Sequence, residues 1–255
     1  MRILGLDLAA QPRTTGCVVL APDGPGRWAA TKPEGPADDD RLVALAREVD
    51  VLGIDAPLGW PRAFVAAVVA HEDFGPWPGG VDRGPLTHRV TDHVVVARGE
   101  GRPLSVSADR IGSPAMRGAL LQHRWATEVW GAPESRDGTG RLVETYPAAS
   151  LRAWGVEATG YKRGGAAHAE EARRVRAGIV AHLAATLPWV DVDPVADPAT
   201  ASDHVLDALL CCLTVVAARA GTTTAPAGPD EVAAARVEGW VHVPTAPLAA
   251  LTPPP

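Results

Sequence analysis

Ile3, Leu4, Gly5 and Leu6 form an unbroken apolar run that stops at Asp7, the pattern of a strand covered on both faces. Burying a lone carboxylate there would cost on the order of several kcal/mol, so Asp7 is expected to meet water, a cation, hydrogen-bond donors or a metal. A turn over 11–15 leads through Gly16 into Cys17-Val18-Val19-Leu20, and the turn-forming Pro22-Asp23-Gly24-Pro25-Gly26 precedes a short run over 27–31. Together these predict an antiparallel meander. Asp38, Asp39 and Asp40 then offer an N-cap and first-turn charge to a helix with Leu42, Leu45, Ala46 and Val49 on one face. Val51-Leu52-Gly53-Ile54 repeats the opening pattern and closes at Asp55, with Pro57 and Pro61 enforcing a stop. Strand, strand, strand, helix, strand begins an α/β fold, and a return through a helix makes the fourth strand parallel to the first. Parallel neighbours ending in Asp7 and Asp55 bring both carboxylates to the carboxyl end of the sheet, where open α/β sheets bind ligands.

From 62 to 136 the pattern is less regular and reads as an insertion or cap over the sheet edge. A helix is predicted over 62–71 and a loop over 74–80, while 86–97 reads equally as helix or strand. Ser113 and Pro114 start a helix that runs to about residue 130, with Met116, Leu120 and Leu121 among its apolar positions. Regularity returns with a β-prone run over 141–147 that carries Glu144 and ends at Pro147. A helical stretch near 148–154, a long helix over 166–187 and a loop rich in Asp and Pro over 188–198 follow. The last helix runs from Ser202 through Asp203, His204 and Asp207 into an almost wholly apolar segment that must be buried against the sheet. There is no internal repeat, and the only biased stretch is 221–229, so a single domain over 1–255 with an insertion at about 62–136 is expected.

Composition narrows the class. Apolar residues make up 46% of the chain and charged residues 21%, which fits a globular protein and excludes a disordered one. The formal net charge of -6 argues against indiscriminate capture of polyanions without forbidding a local basic groove. Lysine occurs only at Lys32 and Lys162 while arginine is abundant, a bias that discounts scattered arginines as phosphate ligands. Cys17, Cys211 and Cys212 form neither a disulfide framework nor a zinc spacing and read as small core residues in a reducing compartment. The N-terminus lacks a signal-peptide layout, and the most apolar run, 205–218, contains Asp207 and falls short of a membrane span. A cytoplasmic protein without a membrane partner is expected.

Candidate chemistry centres on the acids. Asp203 and Asp207 stand four apart on one face of the last helix, where like charges repel. A divalent cation between them and the strand carboxylates would relieve that repulsion. Each acid also suits a local role: Asp7 and Asp55 as turn caps, Asp203 as a first-turn helix charge, Glu144 as the partner of an arginine. His204 is expected at the surface, as is the group His88, Arg89, Asp92 and His93. Thr14, Thr15 and Gly16 suit either a turn or a phosphate contact. Trp60 and Trp77 suit packing or loop anchoring, or else stacking on bases.

Gly5-Leu6-Asp7-Leu8-Ala9, Gly53-Ile54-Asp55-Ala56-Pro57-Leu58, Val143-Glu144-Thr145-Tyr146-Pro147-Ala148-Ala149, Tyr161-Lys162, Asp207-Ala208-Leu209-Leu210-Cys211-Cys212-Leu213-Thr214 and Glu238-Gly239-Trp240 stand in the chain in this order. As an ordered set they resemble the signature blocks of the DUF429 family, described as predicted nucleases of the ribonuclease H-like fold. Arg89-Val90-Thr91-Asp92 also looks like a family block, to which no role attaches. The resemblance implies a mixed five-stranded sheet flanked by helices, with a largely helical or irregular insertion between the fourth and fifth strands. The last helix is also similar to the one carrying paired aspartates in Holliday-junction resolvases of that fold. By the same resemblance Asp7, Asp55, Asp203 and Asp207 match positions that hold divalent metal. Hard oxygen ligands suit Mg²⁺ or Mn²⁺, and two ions ~4 Å apart can generate a nucleophilic water and neutralise a phosphate. The expectation is a metal-dependent phosphodiester hydrolase, a nuclease acting on DNA or RNA. Asp7 would bridge, Asp55 and Asp207 complete the two positions, Asp203 serve as outer ligand or water-orienting base, and Glu144 stand as a further catalytic candidate. The alternatives are a non-catalytic ribonuclease H-like binding module and a small-molecule phosphotransfer enzyme. Against the latter, the chain has no second phosphate loop, no Walker A motif and no Gly-x-Ser-x-Gly.

Overall fold

The opening apolar run forms β1 (Ile3–Asp7) in the computed structural model, which describes residues 1–78 and 82–254. β2 (Gly16–Pro22) and β3 (Trp28–Thr31) follow it, paired antiparallel in succession as the meander predicts. Asp38 caps α1 (Asp39–Ala46), its carboxylate accepting from the Arg41 N–H at 2.8 Å. The helix returns the chain to β4 (Val51–Ile54), parallel to β1. Between β4 and β5 (Leu142–Thr145) lie α2 (Arg62–Glu72), α3 (Gly84–Thr87), α4 (Val90–Ala97) and α5 (Gly112–Trp125), the last continuing as a π-helical turn over Ala126–Trp130. Then come α6 (Pro147–Ala153), α7 (Ala169–Thr186), β6 (Val190–Asp191), α8 (Asp193–Ala201), α9 (Asp203–Arg219), α10 (Gly228–Glu238) and β7 (Val241–His242).

The sheet order is β6-β3-β2-β1-β4-β5-β7. The fold is therefore α/β with a seven-stranded mixed sheet, two strands more than expected. Both additions are two-residue edge strands, β6 parallel to β3 and β7 parallel to β5, too short to show any period in the sequence.

Alternation along the strands sorts their side chains between two cores. Ile3, Val18, Leu20, Val51 and Val143 pack on one face with α7, α8 and the apolar length of α9. Leu4, Leu6, Val19, Leu52, Ile54 and Leu142 pack on the other with Leu42 and Leu45 of α1 and Leu121 and Trp125 of α5. Covered on both faces, β1 has no polar residue before Asp7. The tightest seat is that of α9: a Cβ on Gly5 would stand 1.9 Å from the Ala208 carbonyl oxygen, and one on Gly16 1.8 Å from that of His204. Only glycine lets the helix backbone lie this close to the strands.

Several local expectations change. The ambiguous 86–97 stretch is helical, as the end of α3 and all of α4. Over 188–198 the expected loop is instead β6 and most of α8. Pro194 in the first turn of α8 needs no hydrogen-bond partner, and burial of Val195 and Ala199, four apart, outweighs the cost of Pro198 inside the helix. Met116 and Leu120 of α5 face solvent, its buried side being Ala115, Gly118, Leu121 and Trp125. Of the loop predicted over 74–80, residues 74–78 carry no helix or strand, and Gly79 and Gly80 lie outside the described residues. Among the described residues no helix is long and apolar enough to cross a membrane.

Candidate metal centre

Period-two alternation places Asp7 on the same face of β1 as Ile3 and Gly5, toward α9. Asp55 follows Val51 and Gly53 on that face of β4, and its N–H continues the ladder by donating to the Leu6 carbonyl at 2.8 Å. The parallel register Leu6↔Ile54 ends the two strands side by side. Asp207 lies one turn into α9, over this end of the sheet. One carboxylate oxygen from each of Asp7, Asp55 and Asp207 falls within 4.8 Å of the others.

Three side chains hold the cluster. Lys162, in the loop between α6 and α7, brings its Nζ to 2.5 Å from Asp207 Oδ2. The Tyr161 hydroxyl donates to Asp207 Oδ1 at 3.0 Å. His204 Nδ1 lies 2.6 Å from Asp7 Oδ2, its ring three residues before Asp207 and so on the same side of α9. Asp207 is 1% exposed. Burial pushes its carboxyl up to about 7 against the pull of Lys162, with the Asp7 carboxylate adding to the rise. Burial also raises Asp55 well above the usual carboxylate range, with Asp7, Asp207 and Glu144 reinforcing it and Lys162 opposing. His204 is raised by its hydrogen bond to Asp7. Although burial disfavours the Lys162 ammonium, the Asp207 and Asp55 carboxylates hold it charged far above its ordinary value.

Two buried arginines fix the loops around these groups. Arg176 of α7 donates to the carbonyls of Tyr161 at 2.7 Å, Thr200 at 2.8 Å and Ala201 at 3.2 Å, tying the Tyr161-Lys162 loop to the chain entering α9. Arg117 of α5 donates to the Ala9 carbonyl at 2.8 Å, the Thr15 hydroxyl at 2.6 Å and the Ala37 carbonyl at 2.7 Å, and pairs with Asp39 at 2.7 Å. It thereby pins the turn that follows Asp7. Three carboxylates gathered beside one ammonium give the centre a hard oxygen donor set with more acids than the lysine can neutralise once they ionise. That combination fits a divalent cation, which would favour the ionised forms that burial disfavours.

A family model described as "Protein of unknown function (DUF429)" matches residues 5–231. The chain belongs to the DUF429 family. The matched span includes Asp7, Asp55, Lys162, His204 and Asp207. Neither a curated protein nor a solved structure matches the chain.

In this DUF429 chain the remaining site candidates divide by sheet face. Glu144 follows Val143 on β5 and so points to the opposite side from Asp7 and Asp55. Its carboxylate is met there by Arg89 at 2.7 Å and by the Leu58 N–H at 3.1 Å, the arginine pairing weighed from the sequence. Asp203, half-buried in the first turn of α9, stands outside the group of three. His204 is a correction: expected at the surface, it is only partly exposed and engages Asp7. Arg89 and Asp92 are likewise buried rather than superficial, paired at 2.9 Å. Thr15 serves the turn, accepting from the Ala9 N–H at 3.3 Å. Trp77 does not pack in a core; it is half exposed and meets His71 edge-on at 5.7 Å between ring centres.

Lys162 and Tyr161 enter the site from a segment whose pattern assigns no element. Two signals were available: the Tyr161-Lys162 pair stands among the family-like blocks, and its lysine stands where this chain nearly always uses arginine. For His204 the signal was its three-residue spacing from Asp207.

Proposed function

We propose that Asp7, Asp55 and Asp207 hold Mg²⁺ or Mn²⁺ and that the protein is a metal-dependent phosphodiester hydrolase, a nuclease with a single ribonuclease H-like domain over 1–255 and an insertion at about 62–136. The observation that carries the reading is the convergence of three aspartates, distant in sequence, within 4.8 Å at the carboxyl end of β1 and β4. Its five inner strands, β3-β2-β1-β4-β5, form a mixed sheet flanked by helices, in keeping with that fold. The bound ion would supply an activated water near neutral pH and neutralise charge on the phosphate. The chain's own residues do the positioning: His204 fixes the Asp7 carboxylate, Tyr161 orients that of Asp207, and Lys162 adds a permanent positive charge where an anionic substrate would approach. On this reading Asp203, one turn outward from Asp207 and outside the group of three, would order water rather than join the inner ligands. Glu144 takes no part in the reaction on this reading and instead anchors β5 to Arg89.

Calorimetric titration with Mn²⁺, paired with cleavage assays on single-stranded, duplex and branched DNA and RNA, tests the proposal. Asp7→Asn is expected to weaken Mn²⁺ binding and cleavage by more than ~100-fold while the circular dichroism spectrum stays that of the wild type. Mn²⁺ binding without cleavage of any substrate would assign a binding module, which the ready pairing of Asp207 with Lys162 and Tyr161 also suits. Cleavage unchanged in Asp7→Asn would remove the hydrolase reading.

A further inference from the structure

We infer, resting on the reading of Asp7, Asp55 and Asp207 as metal ligands, that the Lys162 ammonium holds one of the centre's two cation positions, so that the site takes a single divalent ion. A cluster built for two dications offers its carboxylates to two positions ~4 Å apart. Here one flank is taken. Asp207 has two oxygens: Oδ1 accepts from the Tyr161 hydroxyl at 3.0 Å, and Oδ2 faces Lys162 Nζ at 2.5 Å. Oδ2 is wholly buried, and among the described residues the Lys162 ammonium is the charged group that faces it, standing where a cation would meet that oxygen. On the far side, His204 engages Asp7 Oδ2 at 2.6 Å, which further limits the oxygens free for a second metal.

Charge balance points the same way. With the three aspartates ionised and His204 neutral, Lys162 cancels one of three negative charges and the remainder matches one dication. A second dication would leave an uncompensated positive charge in a partly buried site, where imbalance is expensive. The lysine is also delivered by a held backbone. Arg176 fixes the Tyr161 carbonyl, and the Tyr161 ring lies 5.4 Å from the Lys162 Nζ. A compact ammonium fits a position between carboxylates that a planar guanidinium would overfill, which accounts for lysine here in an arginine-rich chain.

Counting bound Mn²⁺ on the full chain tests this without any cleavage assay. Titration calorimetry is expected to give one ion per wild-type chain and two per Lys162→Gln chain, with Lys162→Ala repeating the second count. The electron paramagnetic resonance spectrum should lack exchange coupling in the wild type and acquire it in the variants. Lys162 is 42% exposed, so its truncation leaves the core intact. Two ions in the wild type would overturn the inference and leave the metal reading standing. No ion in the wild type would overturn both. A count that stays at one in the folded variants would show that Lys162 is not a stand-in for a cation.

Discussion

Asp207 sits beside an ammonium and under a tyrosine, yet burial keeps its proton until about pH 7. Because that value exceeds the ~4 of an unfolded aspartate, the metal-free protein holds more protons than its unfolded chain between these limits. The associated stability is fully present below about pH 4 and is lost as pH rises through 7. His204 acts in the same direction: its value is raised, so its contribution is complete below the unfolded value of ~6.5 and is lost as pH climbs past the folded one. With a chelator present, the urea midpoint should fall between pH 5.5 and 8, and Asp207→Asn should flatten the fall. A midpoint that climbs over this window would contradict the assignment. Adding Mn²⁺ should offset the loss, since the ion binds the ionised carboxylates. Asp7, Asp55 and Asp207 are legible in the sequence because each interrupts an apolar run at a cost that demands a partner. The partners are legible only in part: Tyr161-Lys162 stands out as a family-like pair and His204 by its spacing from Asp207, but neither signal says that the side chain turns inward onto an acid.

At the scale of elements, α9 is the helix the sheet was shaped to receive. A methyl group on Gly5 would stand 1.9 Å from the Ala208 carbonyl oxygen, and neither backbone has room to retreat. Gly5→Ala is expected to lower stability by about 3 kcal/mol or more, measured by urea unfolding. Gly178 is the contrast. It is exposed on α7 and has nothing within 4 Å of the added carbon, so Gly178→Ala should raise stability by about 1 kcal/mol. The elements β1, β4, α1, α7 and α9 announce themselves in the amino-acid order, because each carries a clear apolar run or period. Those that escape notice are short or built of small residues. The strands β6 and β7 have two residues each, and α10 buries Ala234, Ala235 and Glu238, which make no apolar stripe.

At the scale of the whole molecule, the face of β5 opposite the acid cluster is held by charge. Arg89, 3% exposed, pairs with Asp92 at 2.9 Å and Glu144 at 2.7 Å and donates to the Glu238 carbonyl at 3.1 Å. The Glu238 carboxylate in turn accepts from the N–H groups of Arg62 and Val90. This network joins α2, α4, β5 and α10, parts of the chain up to 176 residues apart. Arg89→Ala would strand two buried carboxylates and should cost about 3–5 kcal/mol, with thermal unfolding as the measurement. The network was hidden because charged residues between 86 and 97 fit a solvated surface equally well; only the assembled fold shows what covers them.

The glycine seat of α9 has one more consequence. Where Gly5 meets Ala208 and Gly16 meets His204 backbone to backbone, the spacing of Asp7 from Asp207 is a main-chain dimension, and on the metal reading so is their bite on an ion. Trimming or enlarging distant core residues will change how firmly the protein stands without retuning that bite. On the metal reading, selectivity among ions would then be changed through the acids themselves and the few side chains that reach them.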